Sequence, residues 1–106
     1  MNTTVVVGYD QTGHSDAALD VAAGEAVMRG ASLTVVTAFR RPAPAGSAVA
    51  APPDPDDAPA KAAMAVAEYG ADRARARHSR LIAIARTVDG PAGKSLAQAA
   101  HGAGLL

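Results

Sequence analysis

Asp10, Thr12, His14 and Ser15 crowd into one short polar stretch that follows the apolar run Val5-Val6-Val7-Gly8-Tyr9. A carboxylate, two hydroxyls and an imidazole at such a junction could anchor a ligand, cap a helix or activate a nucleophile. Asp10 has two readings: a turn residue that bonds its own backbone, or a polar anchor for a ligand at the end of a strand. Ser15 beside His14 resembles a nucleophile with its base only superficially, because sequence neighbours rarely share a bond; Ser15 is expected to serve as a helix N-cap instead. The loop has Gly13 but not the three glycines of a dinucleotide fingerprint.

A second stretch, Gly90-Pro91-Ala92-Gly93-Lys94-Ser95, ends in the Gly-Lys-Ser of a phosphate loop, yet only two residues separate its glycines. Four are needed for enough backbone N–H groups to wrap a phosphate, so the segment reads as a helix N-terminus with Pro91 in its first turn. His14, His78 and His101 are far apart and none pairs with another ligand at helical spacing, which gives no metal site. Arg73, Arg75 and Arg77 fall at the end of a predicted helix, where cations complement the dipole; they read as a solvated cap rather than a phosphate or nucleic-acid patch.

The elements that must position these groups follow from periodicity. Thr3 to Tyr9 is continuously apolar and β-branched, as a strand covered on both faces would be. A helix from Ser15 places Asp16 at the positive end of its dipole and Ala18, Leu19, Ala22, Ala26 and Val27 on one side; Gly30 stops it. Ser32 to Phe39 is a second apolar strand, so Val5 to Phe39 forms a β-α-β unit with a right-handed crossover. Six of the seven prolines lie between Arg40 and Pro59, in a Pro/Ala-rich loop read as a solvated insertion in preference to a lid. Asp57 is placed to cap a second helix with the stripe Ala63, Val66, Ala67, Gly70 and Ala74. Arg80 to Val88 reads as a third strand, at an edge because Arg80, Arg86 and Thr87 dilute it. Pro91 to His101 reads as a third helix, and Ala103 to Leu106 as the opening of a fourth strand.

Composition narrows the function classes. With 106 residues the chain fits one small domain, and with no cysteine it has neither disulfides nor thiolate chemistry. Ten basic and ten acidic residues give zero formal charge, hence no field to gather nucleic acid or an anionic membrane. No apolar run approaches the ~20 residues of a membrane span and no export signal opens the chain, so a cytoplasmic address is expected. Alanine supplies roughly a quarter of the residues, well above ordinary usage, so Val, Ile and Leu in the strands must carry most of the burial.

The stretch VVVGYDQTGHSDAALDVAAGEAVMRGASLTVVTAF resembles the start of a universal stress protein domain. That family opens with a valine-rich strand ending in Gly-x-Asp-x-Ser/Thr, here Gly8, Asp10 and Thr12. Its helix carries Ser-x-x-Ala-Leu, here Ser15, Ala18 and Leu19, and an L-x-V-V-x-A strand follows, here Leu33, Val35, Val36 and Ala38. Val88-Asp89-Gly90-Pro91-Ala92 is similar to the family's Gly-Asp-Pro turn, and the terminal AGLL to the start of its fourth strand, so the likeness spans residues 1–106 apart from the proline-rich loop at 40–59. It implies an α/β, Rossmann-like fold with parallel strand order 3-2-1-4-5, of which this chain would hold about three strands and three helices, and a bound ATP or AMP. Gly8, Tyr9, Asp10 and Gln11 would border adenine and ribose, and the backbone of Ala38 would meet the base.

The family's phosphate grip, a Gly-x-x-Gly segment after the fourth strand, has no counterpart in the sequence, which on this reading is a truncated domain. Weak nucleotide affinity and no ATP hydrolysis are therefore expected of a non-enzymatic stress-response module. The rival expectation is an interaction module that binds no nucleotide and offers the apolar edge Thr3 to Tyr9 to Leu105 and Leu106, to a second copy or to another chain.

Overall fold

A computed structural model of the chain describes residues 3–39 and 58–89. Its elements are β1 (Thr4–Gly8), α1 (Gly13–Arg29), β2 (Ser32–Phe39), α2 (Ala58–Arg77) and β3 (Ala83–Asp89). The predicted Asp57 cap, nearly all of the proline-rich loop, the Gly90–Ser95 segment, the third helix and the start of a fourth strand lie outside the described residues.

The three strands form one parallel sheet in the order β1-β2-β3. Val5 pairs with Leu33 and Gly8 with Val36 across the first ladder, while Leu33 pairs with Ala83 and Phe39 with Asp89 across the second. Both crossovers step in the same direction. A right-handed connection then puts both helices on one face of the sheet, and a single core confirms it: Val5, Val7, Leu33, Val35 and Ala83 meet Leu19, Ala22, Ala23 and Ala26 of α1 and Ala71 and Ala74 of α2. The helices contribute mostly methyl groups, so the largest fully buried side chains are Leu19, Leu33, Val5 and Val35. Small side chains let the helices lie close to the strands but remove little area from water, at about 25 cal/mol per Å².

Several local expectations shift. Helix α1 begins at Gly13, because Thr12 and not Ser15 is the N-cap: Thr12 is extended at φ −83° and ψ 163°, and its Oγ1 accepts the Ser15 amide. Ser15 is the reciprocal partner in the capping box. Gly30 closes the helix in the left-handed conformation at φ 65°, its N–H turned back to Val27. Val27, placed on the inner face by spacing, is 48% exposed, and Ala23 takes the buried position. The third strand starts at Ala83 rather than Arg80, since the Leu81 amide donates to the His78 carbonyl in a turn that uses up Ser79 and Arg80. Strand β1 stands at one end of the strand order among the described residues, the edge position that the first three strands of a 3-2-1-4-5 order imply, and β2 is the inner strand.

The three arginines expected to form a solvated cap have partners. The Arg73 guanidinium donates to both carboxylate oxygens of Asp20, at 3.2 and 3.0 Å. Arg77 lies 3.5 Å from the same carboxylate, and Arg75 reaches Asp72 and the Ala83 carbonyl. Asp16 and Asp20 on α1 thus face Arg73 and Arg77 on α2 one turn apart, and the seam locks the two helices together as well as complementing a dipole.

Candidate functional site

The carboxyl ends of β1 and β2 meet at a loop built almost entirely from its own hydrogen bonds. The Asp10 carboxylate accepts the Thr12 amide at 3.1 Å and the Thr12 hydroxyl at 2.6 Å, both on Oδ1. Ser15 Oγ accepts the amides of Asp10 and Thr12 and donates to the Thr12 carbonyl. Gln11 occupies the left-handed region at φ 64°, a conformation that costs a side-chain-bearing residue about 1–3 kcal/mol and persists because the bonds on either side hold it. Asp10 is therefore a turn residue in its bonding, yet the side chain stands exposed at the strand terminus. The Thr12 hydroxyl, together with the Ser15 and backbone donors, holds its carboxyl below the usual range, so Asp10 presents a fixed negative charge.

Tyr9 couples this loop to the rest of the domain. Its amide donates to the Val36 carbonyl at 2.9 Å, and its own carbonyl accepts the buried Thr37 hydroxyl at 2.9 Å. These bonds continue the β1–β2 pairing one residue beyond the strand and bring the Gly8–Asp10 backbone alongside Thr37 and Ala38. The Tyr9 ring turns the other way, beneath α2, where it is only 3% exposed. There it stacks on Tyr69, with centroids 6.4 Å apart, covers Gly70, and donates its hydroxyl to Asp16 Oδ1 at 2.6 Å. Of the residues singled out from sequence, Gly8, Asp10, Gln11 and Ala38 thus share one end of the sheet, whereas the Tyr9 backbone is bonded to β2 and its side chain serves the core. Thr37 was not singled out; its signal was a hydroxyl near the end of a largely apolar strand, where burial demands a partner.

These groups give folding a defined pH dependence. Asp20 is held below the usual carboxylate range by the Arg73 hydrogen bonds, and Asp10 by Thr12. A depressed carboxyl adds stability above its unfolded value near ~4 and loses it as pH falls through the lower folded value, because there the unfolded chain binds more protons. Tyr9 is shifted the other way, raised by burial and then by its bond to Asp16. Its contribution is complete below the unfolded value of ~10 and fades as pH climbs toward the folded one. Urea midpoints measured across pH should therefore be flat near neutrality and fall at both extremes. Tyr9→Phe should remove much of the alkaline fall and leave the acid limb in place.

Among the described residues no group of three His, Cys, Asp or Glu side chains converges as a metal site, and no helix is long and apolar enough to cross a membrane.

Parallel strands joined through helices on one face, with a polar loop at the first strand terminus, define an α/β domain of Rossmann-like architecture. The chain belongs to the universal stress protein family, whose family model matches residues 1–106. A universal stress protein solved in complex with cAMP is similar at 25% identity and a TM-score of 0.58, over 83% of this chain and 61% of that one. This chain therefore spans about three fifths of that relative's length. A universal stress protein family member from Burkholderia pseudomallei shares the fold at a TM-score of 0.54 and 24% identity, over 95% of this chain and 74% of that one. No curated protein matches the sequence significantly.

Proposed function

We propose that the domain is an adenine-nucleotide-binding module of the stress response, taking ATP or AMP at the carboxyl ends of β1 and β2. It acts without catalysis, in the cytoplasm, by changing state with nucleotide supply. The observation that carries this reading is Asp10, an exposed, ionised carboxylate fixed at the strand terminus and set by Tyr9 and Thr37 beside Ala38. A carboxylate so placed can accept ribose hydroxyls, with the Gly8–Gln11 backbone on one side of the base and the Ala38 backbone on the other. The family membership supports the assignment, as does the cAMP held by one of the similar structures.

Affinity is expected to be weak. The amides of Asp10, Thr12, Ser15 and Asp16 are already used by oxygen atoms of the loop itself, so they add little to a phosphate grip. Binding then rests on the nucleoside end, and ATP and AMP should differ little. Isothermal titration should give micromolar or weaker constants for both. Asp10→Ala should weaken them by about tenfold or more, the worth of one charge-assisted hydrogen bond. Asp10→Asn, which keeps an acceptor for Thr12, separates loss of charge from loss of the turn. Titrations with no heat at any nucleotide concentration, from a chain that self-associates, would instead favour a module that pairs through the β1 edge.

A further inference from the structure

The opposite pole of the sheet carries a groove of about 790 Å³, within the range of small-molecule sites. It lies where the last turn of α1, the α2–β3 connection and the amino ends of β1 and β2 come together, so it shares no residue with the Asp10 loop. Its charged lining has one sign: Arg77 and Arg80 border it beside His78, Ser32 and Ser79, and no described lining residue is acidic. Arg77 is engaged by Asp20, whereas Arg80 is exposed and makes no ion pair or hydrogen bond among the described residues. The apolar part is also open to water, with Val27 48% and Ile82 67% exposed.

Both helices point their C-terminal, negative ends at this pole, which would oppose an anion. That opposition is blunted in part because three of those carbonyls are occupied: Ala26 and Val27 accept the Ala31 and Gly30 amides, and Ala74 accepts that of His78. What remains is a concave surface with a free guanidinium at one side and exposed aliphatic carbons at the other.

We infer that this groove is a second ligand site, for an amphipathic carboxylate whose head pairs with Arg80 and whose acyl tail lies on Val27 and Ile82. The inference does not depend on nucleotide binding at the other pole. A guanidinium matches a carboxylate with two parallel N–H···O bonds, and the aliphatic surface rewards a tail that a bare anion lacks.

The test uses the full chain and dodecanoate below its micellar concentration, followed by amide chemical shifts. Saturable shifts confined to Gly30–Ser32 and Ser79–Ile82 are expected. Arg80→Glu should weaken binding by about tenfold or more, the equivalent of one charge-assisted hydrogen bond. Arg86→Glu, an exposed arginine outside the groove with the same change in net charge, should leave it unchanged. Circular dichroism of both variants checks that they remain folded. Equal losses in the two variants, dodecanol binding as tightly as dodecanoate, inorganic phosphate competing at equal concentration, or shifts scattered over the surface would each overturn the inference. Shifts of Gly8–Ser15 on adding AMP are read in a separate titration, so either site can fail while the other stands.

Discussion

Gly70→Val is expected to destabilise the fold by about 3 kcal/mol or more, a large fraction of the ~5–15 kcal/mol that holds a small domain together. A Cβ built at Gly70 would stand 2.7 Å from Tyr9 Cδ2, 3.0 Å from Tyr9 Cε2 and 3.0 Å from Val35 Cγ1. The tyrosine ring cannot swing clear, since its hydroxyl is bonded to Asp16 and Tyr69 stacks on it. Helix propensity argues for the opposite sign, because alanine or another side chain in place of a mid-helix glycine normally gains up to about 1 kcal/mol. Gly70→Ala is thus the sharper companion: propensity alone predicts a more stable protein, and the close approach predicts net destabilisation of about 1–2 kcal/mol. Urea unfolding of both variants decides between them. A rise in midpoint for either would mean that α2 and Tyr9 are less closely set than described.

Leu33→Ala is expected to cost about 2–5 kcal/mol. Leu33 is fully buried on the inner strand, between Val5 of β1 and Ala83 of β3 and under both helices. Its surroundings have little with which to refill the space. The helix side chains over the sheet are mostly alanines, which cannot extend into a cavity, and backbones already this close cannot settle further. The cost should therefore lie in the upper part of that range, and thermal and urea unfolding should both record it. A loss below about 1 kcal/mol would show that the core relaxes around the gap.

Much of this architecture was legible because the residues speak in short-range patterns. Continuous valine in β1, the apolar run of β2 and Gly30 after α1 each dictate an element without help from distant contacts, and the parallel sheet follows from their order. Ser15 misled for a local reason: Thr12 and Ser15 are hydroxyls three apart, each able to cap, and only the extended backbone at Thr12 decides which one starts the helix. The side chain of Tyr9 was legible in principle. It continues the alternation of Val5 and Val7, which face the helices, so strand periodicity puts the ring in the core even though the family resemblance puts the residue at the site.

The seam between Asp16, Asp20, Arg73 and Arg77 was not legible. Spacing shows that each pair shares a face of its own helix, but nothing local says that the two faces meet across 53 residues of chain. Gly70 is similar: in an alanine-rich stripe a glycine looks like one more small residue, and its necessity appears only once the Tyr9 ring lies against it. The candidate site divides in the same way. Asp10 could be named from its position after a strand, whereas its support by Thr37 depends on the register of β2 against β1.

The Tyr9–Tyr69 couple has an optical corollary. The chain has no tryptophan and just two tyrosines, so its tyrosine emission arises wholly from that one stack, with one phenol hydrogen-bonded to a carboxylate that quenches it. Tyrosine light from the native protein consequently reports a single spot, the contact between Tyr9, at the start of the Asp10 loop, and Tyr69 of α2. An unlabelled sample can therefore reveal in a cuvette whether anything bound above that spot disturbs it.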